Sequence, residues 1–203
     1  RLLYGQDIAD RKRVDLHGLN RAIAERYGRL FDWYDEARTR LGFSGLIRPV
    51  HPEYYWRMKS PASAHELKRC RSVVRIDPFL HMWPAECPRR DALAELTGID
   101  PVDAASWRAF LEKIMNRAAE HGAVGIKQLQ AYGRSLDYPP RDDARIRWRG
   151  DLTPDEAHAF KDWMVHACCE QAEARGWPHQ IHVGTHNLPQ SSPLPLADMA
   201  KRY

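Results

Sequence analysis

The sequence lacks any run of about 18 apolar residues, the length a helix needs to cross a bilayer, and its first ten residues carry no apolar stretch of the kind found in secretory signals. Both absences lead to the expectation of a soluble, cytoplasmic protein with no membrane partner. Cysteine is scarce: Cys70, Cys87, Cys168 and Cys169 show no CxxC spacing, and adjacent residues on one helix point in different directions. Reduced structural thiols are therefore expected rather than a zinc knuckle or a disulfide frame. There is no GxGxxG turn and no GxxxxGK[ST] loop, so a nucleotide-binding sheet has no support. No GxSxG elbow occurs and no cysteine has a histidine partner nearby in sequence, which leaves nucleophilic catalysis unsupported. An excess of charge is missing too, since 31 basic residues face 27 acidic ones for a net +4 with histidine neutral. The basic stretches at 11–13 and 145–149 are short and lie in no recognition motif, which argues against nucleic acid.

With 203 residues, 43% of them hydrophobic, the chain can bury the core of one domain. Leu16, Leu19, Ile23, Tyr27, Leu30, Tyr34, Ala37 and Leu41 recur at three-and-four spacing and predict one helix over 13–41, ended by Gly42. A strand is expected at 43–50, a short helix near 64–71, and a second strand at 72–80 closed by Pro78. Helices near 89–96 and 104–121 stop at Gly98 and Gly122. A third strand at 123–130 leads into a long loop over 131–150. Thr153, Pro154 and Glu156 form a strong helix start, and that helix should run to about Arg175. A fourth strand at 179–183 and a helix at 195–203 complete the order. Strands alternating with helices call for parallel pairing, in a doubly wound sheet or a (β/α) barrel.

In both architectures the active groups sit at the carboxyl ends of the strands. Those ends offer Arg48 and His51; Arg75, Asp77 and His81; Lys127, Gln128 and Gln130; and His182, Thr185, His186 and Asn187. His182 lies between β-forming neighbours that should face the helices while it faces the barrel axis. Without further context a lone histidine there reads first as a hydrogen-bonded core residue. His182 and His186 are four apart, but Gly184 argues against the helix of an HExxH pair, which leaves His186 as a loop residue near the mouth. Lys127 stands among apolar neighbours. It can bind substrate, act in acid/base catalysis with a lowered pKa, be carboxylated to bridge two metals, or reach solvent at the strand end. Arg134 can hold a substrate carboxylate in its planar fork or pair with Asp137 or Asp142. Arg75 and Asp77 read as a structural pair orienting the strand ends. Trp33, Trp107, Trp163 and the Tyr54-Tyr55-Trp56 cluster read as packing, and ligand roles for His158 and His166 are not expected.

The segment Gln180-Ile181-His182-Val183-Gly184-Thr185-His186-Asn187, with Ser192-Pro193-Leu194 after it, resembles the fifth-strand region of the amidohydrolase-related (amidohydrolase 2) family of metal-dependent hydrolases. That family includes proteins similar to the amidohydrolase part of glutamine-synthetase-like fusions and is distantly related to uronate isomerases. Val124-Gly125-Ile126-Lys127 with Ala131-Tyr132-Gly133-Arg134 is similar to its fourth strand, and Val74-Arg75-Ile76-Asp77-Pro78-Phe79 to its third. The resemblance implies an α/β fold: a partial TIM (β/α) barrel holding strands two to five of eight with outer helices, a helical lead-in over 1–42 and β/α units over 43–203 of a single incomplete domain. It implies that His182 is a metal ligand, that the divalent ion is zinc, with manganese or iron as options, and that a metal-activated water attacks a small polar, carboxylate-bearing substrate. Lys127 then takes the catalytic position, and Tyr132, Arg134 and His186 the substrate-binding ones. The family's first-strand HxH pair has no counterpart, and its sixth-strand histidine and eighth-strand aspartate would lie beyond Tyr203, so the expectation is a fragment with an incomplete metal site. A small-molecule substrate is the expected partner, with a homo-oligomer as a further option. The alternatives are a non-catalytic binding module on a degenerate barrel, or a decarboxylase or uronate-isomerase-like enzyme.

Overall fold

The computed structural model describes residues 14–57, 67–184 and 191–203. The chain forms two compact units, residues 1–46 and 47–203. In the first, two helices stand where the periodicity predicts one. Helix α1 (Leu16–Tyr27) is capped by the Asp15 carboxylate, which accepts from Gly18 N at 2.9 Å, and α2 (Leu30–Leu41) follows at once. The chain leaves helical space at Arg29, with φ −130° and ψ 53°. Glycine at position 28 weakens a continuous helix by about 1 kcal/mol, and breaking there lets the halves hold each other. Arg26 pairs with Glu36 at 2.6 Å, and the Tyr27 ring lies 6.5 Å from that of Trp33.

In the second unit β1 (Leu46–Val50, starting at the boundary), β2 (Cys70–Arg75), β3 (Ala123–Gln128) and β4 (His179–Ile181) make a four-stranded parallel sheet in chain order. Helix α3 (Tyr54–Arg57) follows β1; α4 (Pro88–Thr97) and α5 (Ala104–Glu120) join β2 to β3; α6 (Pro154–Glu173) joins β3 to β4; α7 (Ala197–Arg202) comes last. Helices α5 and α6 pack on each other and both pack on β3, so they share one side of the sheet. Spatial order equal to chain order, with crossovers on one side, is an arc of a (β/α) barrel; a doubly wound sheet would reverse at a switch point. Among the described residues no helix is long and apolar enough to cross a membrane.

The strands are shorter than the sequence predicts because side chains and turns take over at their ends. Pairing of β2 continues one step, with Ile76 N donating to Lys127 O at 2.9 Å, and then Pro78, which has no N–H, leads into a 3₁₀ turn at Phe79–His81. Strand β3 passes into the turn Gln130–Tyr132. Of the expected short helix at 64–71, residues 64–66 lie outside the described residues, while Cys70 and Arg71 belong to β2.

Thr153 and Glu156 form the predicted capping box of α6, and Asp103 with Ser106 forms another at α5. Between these helices and the sheet, Trp107, Phe110 and Phe160 meet edge to face, with Trp107 5.5 Å from each of the other two centroids. Residues Phe160, Trp163, Met164 and Ala167 of α6 are buried, as the spacing implies.

The 131–150 loop is fastened to α6 through Asp162. Arg134 Nη2 donates to Asp162 Oδ1 at 2.6 Å and to Asp137 O at 2.8 Å, and its Nε donates to Ser135 O at 2.9 Å. Arg141 grips Oδ2 of the same carboxylate at 3.0 and 2.7 Å. The Asp162 side chain is fully buried and that of Arg134 is 5% exposed. The guanidinium of Arg134, expected to bind substrate, is thus held in a structural ion pair, though with neither of the acids named as alternatives.

Two stability predictions follow from this packing. Asp162→Ala leaves a buried arginine without its counter-charge and should cost about 3–5 kcal/mol, read as a lower urea midpoint; an unchanged midpoint refutes the role given to Asp162. A Cβ at Gly125 would lie 2.7 Å from Pro178 O and 3.3 Å from Val73 Cγ1. Backbone cannot step aside, so Gly125→Ala should destabilise by about 1–3 kcal/mol, measured the same way.

Candidate active site at the carboxyl ends of the strands

Strand register decides which side chains share a face. Arg75 pairs in register with Lys127, and Lys127 with Gln180, while Val74 pairs with Ile126 and Gln128 with Ile181. Val74, Ile76 and Ile126 are fully buried in the core against the helices. By alternation Arg75, Lys127 and Gln180, and two residues further on Asp77 and His182, belong to the opposite face, the interior of the barrel arc. His182 lies one residue beyond β4, and its N–H still donates to Gln128 O at 3.1 Å.

The structure brings two of the expected site residues together. The rings of Tyr132 and His182 stack with centroids 5.0 Å apart and planes at 13°. Tyr132 remains 55% exposed and His182 is half-buried, so the pair borders open space. The turn that carries Tyr132 is fixed by Asp77, whose Oδ1 accepts from Leu129 N at 2.8 Å and from Gln130 Nε2 at 2.9 Å. His186 lies outside the described residues.

Lys127 is 7% exposed. Burial holds its ammonium pKa below the ordinary lysine value; the Asp77 carboxylate opposes that shift and the Arg75 cation adds to it. Arg75 reaches Asp77 Oδ2 at 3.5 Å, a loose contact.

Beside this face, between the ends of β1 and β2, lies a cavity of about 300 Å³ bordered by His51, Arg75, Asp77, His81, Met82 and Arg89. Desolvation lowers the pKa of His51, and Arg75 and Arg89 push it further down. His81 is lowered by burial and then by Lys161. Four of these groups stand at the strand ends read from the sequence. Arg89 was not foreseen, because it sits in the first turn of α4 and no local pattern links it to β2; its guanidinium is paired with Glu53 at 2.7 Å.

A second histidine of the same segment has a different environment. Half-buried against α6, His179 has its Nδ1 3.4 Å from Cys169 Sγ, and desolvation lowers its pKa to about 4. Burial raises the Cys169 thiol to about 12. Both groups are neutral near pH 7, which makes this a core contact and not an activated nucleophile. His166 is likewise engaged, with Tyr138 O at 2.7 Å and Tyr203 Oη at 3.0 Å.

As to a metal, no group of three or more His, Cys, Asp or Glu side chains among the described residues is arranged to hold an ion. A catalytic zinc takes three protein ligands. His182 is one candidate, and Asp77 Oδ1 is already occupied by two N–H donors. The described residues alone therefore do not fit a complete metal centre.

No family model and no curated protein matches the chain. Solved structures do. Uronate isomerase from Thermotoga maritima shares 18% identity at a TM-score of 0.54, over 75% of this chain and 38% of its own. Glucuronate isomerase from Caulobacter crescentus shares 17% at 0.52, over 76% of this chain and 34% of its own. The chain thus spans little more than a third of the solved proteins it matches, and at this identity the likeness is one of fold: an arc of parallel strands with helices outside, as in a (β/α) barrel.

Proposed function

We propose that this chain forms part of the active-site wall of a metal-dependent (β/α)-barrel enzyme acting on a small polar, carboxylate-bearing substrate. The observation that carries this reading is the placement of Lys127 and His182 on one inner face, at the carboxyl ends of adjacent parallel strands, with Tyr132 stacked on His182. His182 serves as one metal ligand, and the remaining ligands come from outside the described residues. Stacking on Tyr132 fixes the plane of the imidazole, as ligand-orienting contacts do in metal sites. Lys127, with its proton affinity lowered by burial, is suited to exchange a proton with substrate at Nζ. Arg134 acts at a distance, holding the loop through Asp162.

Hydrolysis is the first reading. Isomerisation of a sugar acid is the second, favoured by the fold likeness to two isomerases of uronates. Both readings place a carboxylate-bearing substrate against the same wall.

Metal content by mass spectrometry on the purified protein, wild type against His182→Ala, tests the reading. Stoichiometric zinc, manganese or iron in the wild type, lost in the variant while far-UV circular dichroism is unchanged, is the expected result. Equal metal in both proteins, or none in the wild type, removes the ligand role and leaves His182 as a stacked histidine in a binding scaffold.

A further inference from the structure

We propose that Arg75, in the cavity between the ends of β1 and β2, is the receptor for the substrate carboxylate, the role that the sequence suggests for Arg134. The inference rests on the reading of this face as an active site and names the subsite that reading needs. Its first support is the contrast between the two arginines. Arg134 donates three hydrogen bonds at 2.6–2.9 Å to Asp162 and two backbone carbonyls, which commits its Nε and Nη2 to the fold and leaves only Nη1 without a partner among the described residues. Arg75 has one loose contact, to Asp77 at 3.5 Å, and its Nε is buried with no hydrogen-bond partner among the described residues. A buried guanidinium nitrogen without an acceptor is costly and rarely left so.

Charge supplies the second support. Arg75 and Lys127 are register neighbours on the inner face. Asp77 is the carboxylate acting on Lys127, and its Oδ1 is already taken by Leu129 N and Gln130 Nε2. Two cations, Lys127 buried and Arg75 part-exposed, thus share one partly engaged carboxylate, and the face keeps an excess positive charge. A ligand carboxylate in the cavity would complete the Arg75 fork and offset that excess, as planar bidentate recognition requires. Arg89 closes the far wall, its own charge offset by Glu53.

Space is the third. About 300 Å³ is at the lower end of the range for small-ligand pockets and suits a molecule the size of a sugar acid. His51 and His81, on the same wall, can each donate or accept one hydrogen bond to ligand hydroxyls.

Isothermal titration calorimetry on the full chain, at low salt, tests this with D-glucuronate, D-glucose and inorganic phosphate. The wild type should bind glucuronate and not glucose, and Arg75→Gln should weaken glucuronate at least tenfold. A second variant guards against a folding defect. Cys87 lines the cavity and is the N-cap of α4, where aspartate is favoured, so Cys87→Asp should fold normally and repel the ligand carboxylate. Undiminished glucuronate binding in either folded variant, or equal binding of glucose by the wild type, overturns the proposal. Phosphate binding tighter than glucuronate assigns the cavity to a phosphate and overturns the carboxylate. Neither substitution touches His182, so metal content that stays unchanged separates a failure here from a failure of the metal reading.

Discussion

The carboxylate of Asp77 is the contact on which the inner face of this sheet depends. It stands just past the end of β2, and with one oxygen it takes the N–H of Leu129 and the amide of Gln130 at 2.8 and 2.9 Å. Backbone pairing between β2 and β3 gives way there, and the side chain holds the two strand ends together where the ladder stops. The turn it fixes presents Tyr132, and Tyr132 stacks on His182 beyond the next strand. One carboxylate thereby sets the relation between the ends of β2, β3 and β4. Its other oxygen is the loose partner of Arg75, which is how a structural clamp also shapes the electrostatics of the face.

The molecule treats its buried acids in two ways. In the helix layer, Asp162 is matched by two arginines through three hydrogen bonds of 2.6–3.0 Å, Arg134 and Arg141 closing around it. That network ties down the 131–150 loop. On the inner face, Asp77 answers to both Arg75 and Lys127 and is engaged by backbone as well. The two acids thus differ in how tightly they hold their cations, at 2.6–3.0 Å for Asp162 and 3.5 Å for Asp77.

Much of this was legible in the sequence. The alternation of strands and helices, the capping box at Thr153 and Glu156, and the buried stripe of α6 all follow from local rules that the fold obeys. Legibility failed where the deciding contact is distant. The break at Arg29 depends on two helix halves meeting each other, and the periodicity of the stripe is the same whether the helix is one or two. The early ends of β2 and β3 depend on a side chain fifty-two residues from the N–H it accepts. Proximity in sequence points Arg134 to Asp137 and Asp142, but its counter-charge is Asp162, 28 residues on in α6. Arg75 and Asp77, close neighbours of opposite sign, suggested a satisfied pair, and only the 3.5 Å separation shows how loosely they are joined.

His179 and His182 show how narrow the margin between structure and chemistry can be on a strand. They are three residues apart, so alternation puts them on opposite faces. His179 lies half-buried against Cys169 of α6, where desolvation holds it neutral to about pH 4. His182 emerges on the inner face, half-buried and held flat by Tyr132. A one-residue slip of β4 against β3 would exchange these environments, putting a site imidazole into the core and a core imidazole into the site. What prevents the slip is backbone: Ile126 N bonds Pro178 O at 3.1 Å, His182 N bonds Gln128 O at 3.1 Å, and Gly125 admits the Pro178 carbonyl to a distance no side chain would tolerate. The identity of the histidine that reaches the inner face is therefore decided by a glycine on the neighbouring strand.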